Sequence, residues 1–369
     1  MEIYVMKKRF VLVLALILLV ASASLFADPT HVTVTGKARI GYKFTFTDGS
    51  NPASASAKTN IIYLDSLAVK GDVFKVAFSD VLGASSDDDW DSKGTAEIYV
   101  DKVAKAAGND WGDFTLTIGG GNKTNASAPI VYSDPNSTVS DNNYARLRMT
   151  GTYVAYANIG YTKMFSLYVS YTPIDWNTDN KTYPIMASAM VAPVDGVSFT
   201  AGWTAYANRK AVAGDYKKGA IGGSVLVDVK KLAKLDFDLK ASAIDTLYLD
   251  DSDSATDQAA NDLLAAVSGG MSSWAAYVEF QSFGNAVKDG KSKFNAIGKF
   301  TYKGIKNVSL YGKYTMNDIA ERDGNKINII GFGGSYAMAP LTFAADASIT
   351  LQKDAKTSFS ITPYCTIVF

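Results

Sequence analysis

The feature that most constrains this chain is a hydropathy period of two residues, sustained over nearly its whole length. From Val32 to Thr47 the even positions read Val32, Val34, Gly36, Ala38, Ile40, Tyr42, Phe44 and Phe46. The odd positions read Thr33, Thr35, Lys37, Arg39, Gly41, Lys43, Thr45 and Thr47. Successive side chains of a β-strand point to opposite faces, so this run is a strand with one apolar and one polar face. Its sixteen residues span ~50 Å at ~3.3 Å each, long for a strand of an ordinary globular domain.

The same alternation predicts strands over 32–47, 59–70, 73–79, 95–103, 112–120, 143–159, 162–172, 183–192, 197–208, 219–230, 234–249, 271–283, 291–303, 305–316, 325–339, 341–352 and 357–369. Tight connections such as Lys70-Gly71-Asp72, Gly160-Tyr161, Lys303-Gly304 and Ala339-Pro340 alternate with long polar ones at 48–58, 80–94, 121–142, 173–182, 209–218 and 250–270. Consecutive two-faced strands with short turns at one end and long loops at the other describe an all-β, antiparallel up-and-down barrel. A sandwich of two sheets shows the same alternation. Two details favour a transmembrane barrel: the apolar face is rich in Phe, Tyr, Trp and Leu, and no continuous apolar run follows residue 20.

Residues 1–27 read as an export signal. Lys7, Lys8 and Arg9 precede the apolar run Phe10–Val20, and small residues Ala21–Ser24 lead to Leu25-Phe26-Ala27. That leaves residues 28–369 as one barrel domain delivered outside the cytoplasm.

Toward the end, Phe359, Ile361, Pro363, Cys365, Ile367 and Phe369 alternate with Ser360, Thr362, Tyr364, Thr366 and Val368. This segment resembles the closing strand of bacterial outer-membrane barrels, and residues 28–369 resemble outer-membrane porins in general architecture. Pro363 departs from the pattern, because proline removes a ladder hydrogen bond. The resemblance implies location in the bacterial outer membrane, contact with its lipid, and recognition of the strand ending at Phe369 by the outer-membrane assembly machinery. It also admits a homotrimer, common among sixteen-stranded porins. It supplies no catalytic residue.

Such barrels have an even number of strands with both termini on the periplasmic side. Seventeen candidates is odd, and the turn registers counted from the two ends disagree by one strand between about 231 and 290. The run Thr95–Gly108 supports a strand or a helix, and Ser254–Val267 reads as a short acidic helix inside a long loop. The expectation is sixteen strands, with fourteen and eighteen open. The loops at 48–58, 121–142, 173–182 and 250–270 are expected to share the outer end.

Composition removes most enzymatic readings. The chain has 369 residues with one His and one Cys, which excludes a His/Cys metal cluster and a Cys-His nucleophile pair built in the usual way. Lys plus Arg equals Asp plus Glu at 36 each, so no global charge argues for nucleic acid. The runs Gly119-Gly120-Gly121 and Gly331-Phe332-Gly333-Gly334 lack the following Lys of a phosphate-binding loop. They read as positions that ease strand bending or packing near a turn. No cofactor or metal is expected.

With the apolar face toward lipid, the polar face lines the interior. The residues expected to line a pore are Lys37, Arg39, Lys43, Arg146, Arg148, Lys234, Asp236, Asp238, Lys240, Glu279 and Lys299. Charged groups inside a barrel need water or partners, and a barrel of fourteen or more strands is too wide for side chains to fill. The chain is therefore expected to be a porin-like channel for passive diffusion of ions and small hydrophilic solutes. Counting also Lys230, Lys293, Lys303, Lys313, Asp228 and Asp346 on the same face, twelve basic against five acidic inward positions predict a mild anion preference. The alternative is a surface-exposed structural or adhesin-like barrel whose long loops bind external partners.

Overall fold

The computed structural model describes residues 32–47, 60–82, 93–122, 153–171, 185–205, 207–208, 215–216, 219–249, 260–283, 293–320, 326–352 and 355–369. The first strand, β1, runs over Thr33–Tyr42 and resumes over Phe44–Thr47. Next come β2 (Asn60–Lys70), β3 (Phe74–Leu82), β4 (Lys93–Tyr99), the helix α1 (Val100–Ala106), β5 (Phe114–Asn122) and β6 (Tyr153–Tyr161). Then follow β7 (Phe165–Tyr171), β8 (Ile185–Val194), β9 (Val197–Thr204), β10 (Ala220–Asp228), the helix α2 (Val229–Ala233) and β11 (Asp238–Tyr248). The remaining strands are β12 (Ala260–Met271), β13 (Trp274–Phe283), β14 (Lys293–Tyr302), β15 (Val308–Asn317), β16 (Ile327–Met338), β17 (Leu341–Gln352) and β18 (Ser358–Val368).

Every strand pairs antiparallel with the next in the chain, and β1 also pairs with β18, so eighteen strands close into a barrel. The seam is sealed at Phe369, whose carbonyl accepts from Gly36 N at 2.7 Å and whose N–H donates to Gly36 O at 3.1 Å. The tip of the Phe369 ring lies against Gly36, where a Cβ would stand 2.3 Å from Phe369 Cζ. Pro363 explains why β1 is interrupted. The ladder runs to Gly41↔Tyr364 and resumes at Phe44↔Ile361. The lapse lies opposite the residue that has no N–H to give.

Sixteen strands is corrected to eighteen. The missing strand is β12, in the stretch read as a helix, and it lies inside the 231–290 interval where the turn registers disagreed. Strand and helix both occur at 93–106, as β4 followed directly by α1. The count is even, and the two ends of the barrel separate cleanly. Residues 71–73, 162–164, 195–196, 272–273, 303–307 and 339–340 connect strands at the end where β1 begins and β18 finishes. The connections at 48–59, 123–152, 172–184 and 249–259 leave from the opposite end. Residues 260–270, expected in that outer loop, are strand instead. His31 and residues 1–27 lie outside the described residues.

The outward faces are apolar: Val278 is 61% exposed, and Phe114, Phe199, Phe300 and Phe343 are exposed like it. Among the described residues no helix is long and apolar enough to cross a membrane, which says nothing about strands.

Candidate functional site: the inner wall

Alternation sends polar side chains inward, but the inner wall is not uniform. In the long-loop halves of β11 to β14 it is closed to water. Thr246, Asp262, Gln281 and Asn295 are 0–1% exposed, beside the apolar cluster Ile244, Leu264, Ala266, Tyr277 and Ile297. Most of the polar groups here satisfy one another, although Ser242 Oγ has no partner among the described residues. Glu279, 2% exposed, accepts from the Tyr277 hydroxyl and from Gln281 Nε2 at 2.6 Å. Gln281 Oε1 accepts from Asn295 Nδ2 at 3.4 Å, and Asn295 Oδ1 accepts from Asp318 N at 2.9 Å. A buried carboxylate is tolerable only with donors of this kind.

From Lys299 on β14 through β15 to β18 and β1 most inward residues are half-buried, Thr315 and Thr366 excepted, and the charges stand closer together. Lys299 of β14 registers directly against Lys313 of β15. The Lys299 ammonium lies 5.3 Å from the Tyr311 ring centroid, and the Arg39 guanidinium 4.8 Å from that of Tyr364. Both contacts place a cation over a ring face, where the quadrupole attracts it. The Tyr311 hydroxyl donates to Asp346 Oδ1 at 2.8 Å, although β16 runs between their strands. Gly333 makes this reach possible. It registers with both Tyr311 and Asp346, and a Cβ there would lie 2.6 Å from each.

The same device recurs across the barrel. Tyr156 of β6 donates to Glu97 Oε1 of β4 at 2.7 Å, passing over Gly119 of β5. A Cβ on Gly119 would sit 2.5 Å from Tyr156 Cζ and 2.9 Å from the Ala96 carbonyl. Tyr99 adds a second, longer bond to Glu97 at 3.3 Å, and Tyr156 stacks on Tyr168 at 5.4 Å.

The expected pore-lining residues separate into groups. Lys37, Arg39, Lys240 and Lys299 lie half-buried on the inner face, and Lys43 is exposed at the interruption of β1. Lys234 and Asp236, expected in the lumen, are instead exposed in the turn between β10 and β11, Lys234 ending α2 in a left-handed conformation at φ 53°. Asp238 opens β11 at the rim, 2.7 Å from Lys230. Glu279, expected to face water, is buried in the wall. Arg146 and Arg148 lie outside the described residues.

Sequence reasoning missed Glu97 and Asp262, because their strands were read wholly or partly as helix, and missed what the glycines do. The usable signal was the phase: Gly119 and Gly333 occupy inward positions, opposite residues long enough to bridge across them.

At the rim, two ion pairs pin α2. Lys231 meets Asp195 at 2.7 Å, which holds the Asp195 carboxyl below its ordinary range, first through the hydrogen bond and then through the charge. Lys230, bonded to Asp238, is raised correspondingly.

An eighteen-stranded antiparallel ring with an apolar outside and a polar inner wall has the architecture of bacterial outer-membrane porin-type barrels. Solved structures sharing it include OccK11 (OpdR) of Pseudomonas aeruginosa, 10% identical with a TM-score of 0.57, covering 92% of this chain and 96% of that one. OpdQ of the same organism is 12% identical with a TM-score of 0.56, covering 92% and 98%. OpdL, also from that organism, is 10% identical at 0.54, with the same coverage. At these identities the likeness is one of fold. No family model and no curated protein matches the chain in sequence.

Proposed function

We propose that this chain is a transmembrane channel of the bacterial outer membrane that passes ions and small hydrophilic solutes by diffusion, without covalent chemistry. The observation that carries the proposal is the closed ring itself: eighteen strands, apolar outward, with Lys37, Arg39, Lys299 and Lys313 on the inner face. A barrel of this size leaves an aqueous path, and cations on its wall raise the local concentration of anions and repel cations. The preference is mild, because Glu97 and Asp346 share that wall.

Residues 1–27 would direct export, and the strand ending at Phe369 would be the part read by the assembly machinery. Reconstitution of the mature chain in planar bilayers tests the reading. Stable conductance steps are expected, with a zero-current potential in a salt gradient on the anion side. Three equal steps per insertion would mark a homotrimer. A folded, inserted barrel without conductance would overturn the channel.

A further inference from the structure

The outward face carries one anomaly. Among the strand residues whose side chains are described, Asp245 of β11 is the only charged one in the outward phase. It registers with Gly223 on β10 and Leu263 on β12, and Gly223 registers in turn with Ala201 on β9. This row is therefore small, small, acid, large. The row above it, toward the long-loop end, is Trp203, Ile221, Leu247 and Asn261, and the row below holds Phe199, Val225 and Ala243. Trp203 is 42% and Phe199 51% exposed, so the small row is a notch between bulky neighbours. A groove of about 640 Å³, mostly apolar, opens there, and Asp245 lines it. The Asp245 side chain is exposed, and among the described residues it has no hydrogen bond or ion pair.

An ionised carboxylate facing hydrocarbon without a partner is unfavourable, by an amount that depends on depth. Asp245 stands three residues from the end of β11 at Tyr248, about 10 Å along the strand. It lies one row below Trp203, at the level where aromatic girdles mark the headgroup boundary. A cation from a lipid headgroup reaches that level, and an acyl chain running down from it would lie along Ala243 and Val225. A second copy of the chain fits less well. Its described outward strand faces carry no cation, and a two-fold contact would bring Asp245 against itself.

We propose that the β9–β12 groove is a binding site for an amine-headed phospholipid of the surrounding membrane, with the ammonium paired to Asp245 and one acyl chain along the groove. The proposal rests on the outer-membrane reading above.

The test is native mass spectrometry of the folded protein released from micelles containing equal phosphatidylethanolamine and phosphatidylglycerol. Retention of the amine-headed lipid is expected to exceed that of the anionic one at least ten-fold. Asp245→Asn should abolish the preference. Ala201→Leu, which fills the notch and leaves the carboxylate in place, should lose the bound lipid. Equal retention of both lipids, an unchanged preference in Asp245→Asn, or a protein dimer in place of the lipid adduct would overturn the site. Bilayer conductance of the same preparation separates the two readings. A conducting barrel with no lipid preference removes the site alone, whereas a chain that stays in solution without detergent removes both.

Discussion

Along the long-loop halves of β11 to β14 the inward side chains are sealed, with Asp262, Gln281 and Asn295 at 0% exposure. Around β15 to β18 and β1 the equivalent positions, Tyr311, Lys313, Asp346, Tyr364 and Arg39, remain half-buried. One alternation builds both, so the period of two decides only which face a residue joins. What it meets there differs. In the sealed wall a polar atom has only protein groups to turn to, which is why Tyr277, Glu279, Gln281 and Asn295 form a chain of hydrogen bonds with apolar residues packed among them, while Ser242 Oγ has no partner among the described residues. In the half-buried wall two lysines register side by side. Like charges at that spacing need water or partner groups to offset their repulsion.

The comparison breaks first at Glu279. Glu279→Ala removes the acceptor of two buried hydrogen bonds, one from an amide and one from a phenol. Losing a charged acceptor in a sealed environment costs about 3 kcal/mol. Asp346→Ala, on the half-buried wall, should cost less than about 1 kcal/mol. Denaturant unfolding of both variants in the same detergent measures the pair. Equal losses would mean that the two walls do not differ in their access to water.

The next largest effect concerns the glycine bridges. Gly119→Ala and Gly333→Ala each place a Cβ within 2.6 Å of a bridging tyrosine, and should cost about 1–3 kcal/mol through overpacking and a lost hydrogen bond. At Gly298 a Cβ meets nothing within 4 Å, so Gly298→Ala should stay within about 0.5 kcal/mol of wild type. Combining Gly333→Ala with Tyr311→Phe sharpens the result. The two losses should be less than additive, because both remove the same contact to Asp346.

These particulars show what was legible. One strand, β4, lies in a run that also supports a helix, and sixteen of the eighteen announce themselves by alternation. β12 does not, because Leu264 and Ala266 face the sealed wall while Leu263, Ala265 and Val267 face outward. With both faces apolar the period vanishes, and an Ala/Leu-rich run falls back on its helix propensity. The strand count still exposed the gap, since a barrel that is antiparallel at every seam must be even. In the site, direction was readable and environment was not. Nothing local to Glu279 says that it is buried, and nothing in Gly331-Phe332-Gly333-Gly334 says that two residues on other strands join hands over Gly333. Those are properties of three strands in register.

A smaller effect tests the half-buried wall alone. Replacing Lys299 and Lys313 by Ser should move the zero-current potential toward cation passage, and Asp346→Asn should move it the other way. Both shifts should shrink as salt rises, because screening limits the reach of these charges to ~8 Å near physiological ionic strength. Lys240→Ser, near the rim on β11, should move it less. An effect of Lys240→Ser equal to that of the lysine pair would place the narrowest point on the other side.

The smallest effect belongs to the rim, where neither wall contributes. Lys231 holds the Asp195 carboxyl below its ordinary value of 3.8, and both side chains are largely exposed. Because the folded-state value is depressed, the pair contributes above the carboxylate's unfolded value and is lost as the pH falls through the lowered one. Exposed ion pairs contribute little and are screened by salt. Raising the salt or making Lys231→Ala should therefore return the Asp195 titration, followed by carbonyl NMR, toward the ordinary range, with almost no change in the unfolding midpoint. A large loss of stability in Lys231→Ala would instead show that α2 is packed through this pair and that the rim behaves like the sealed wall.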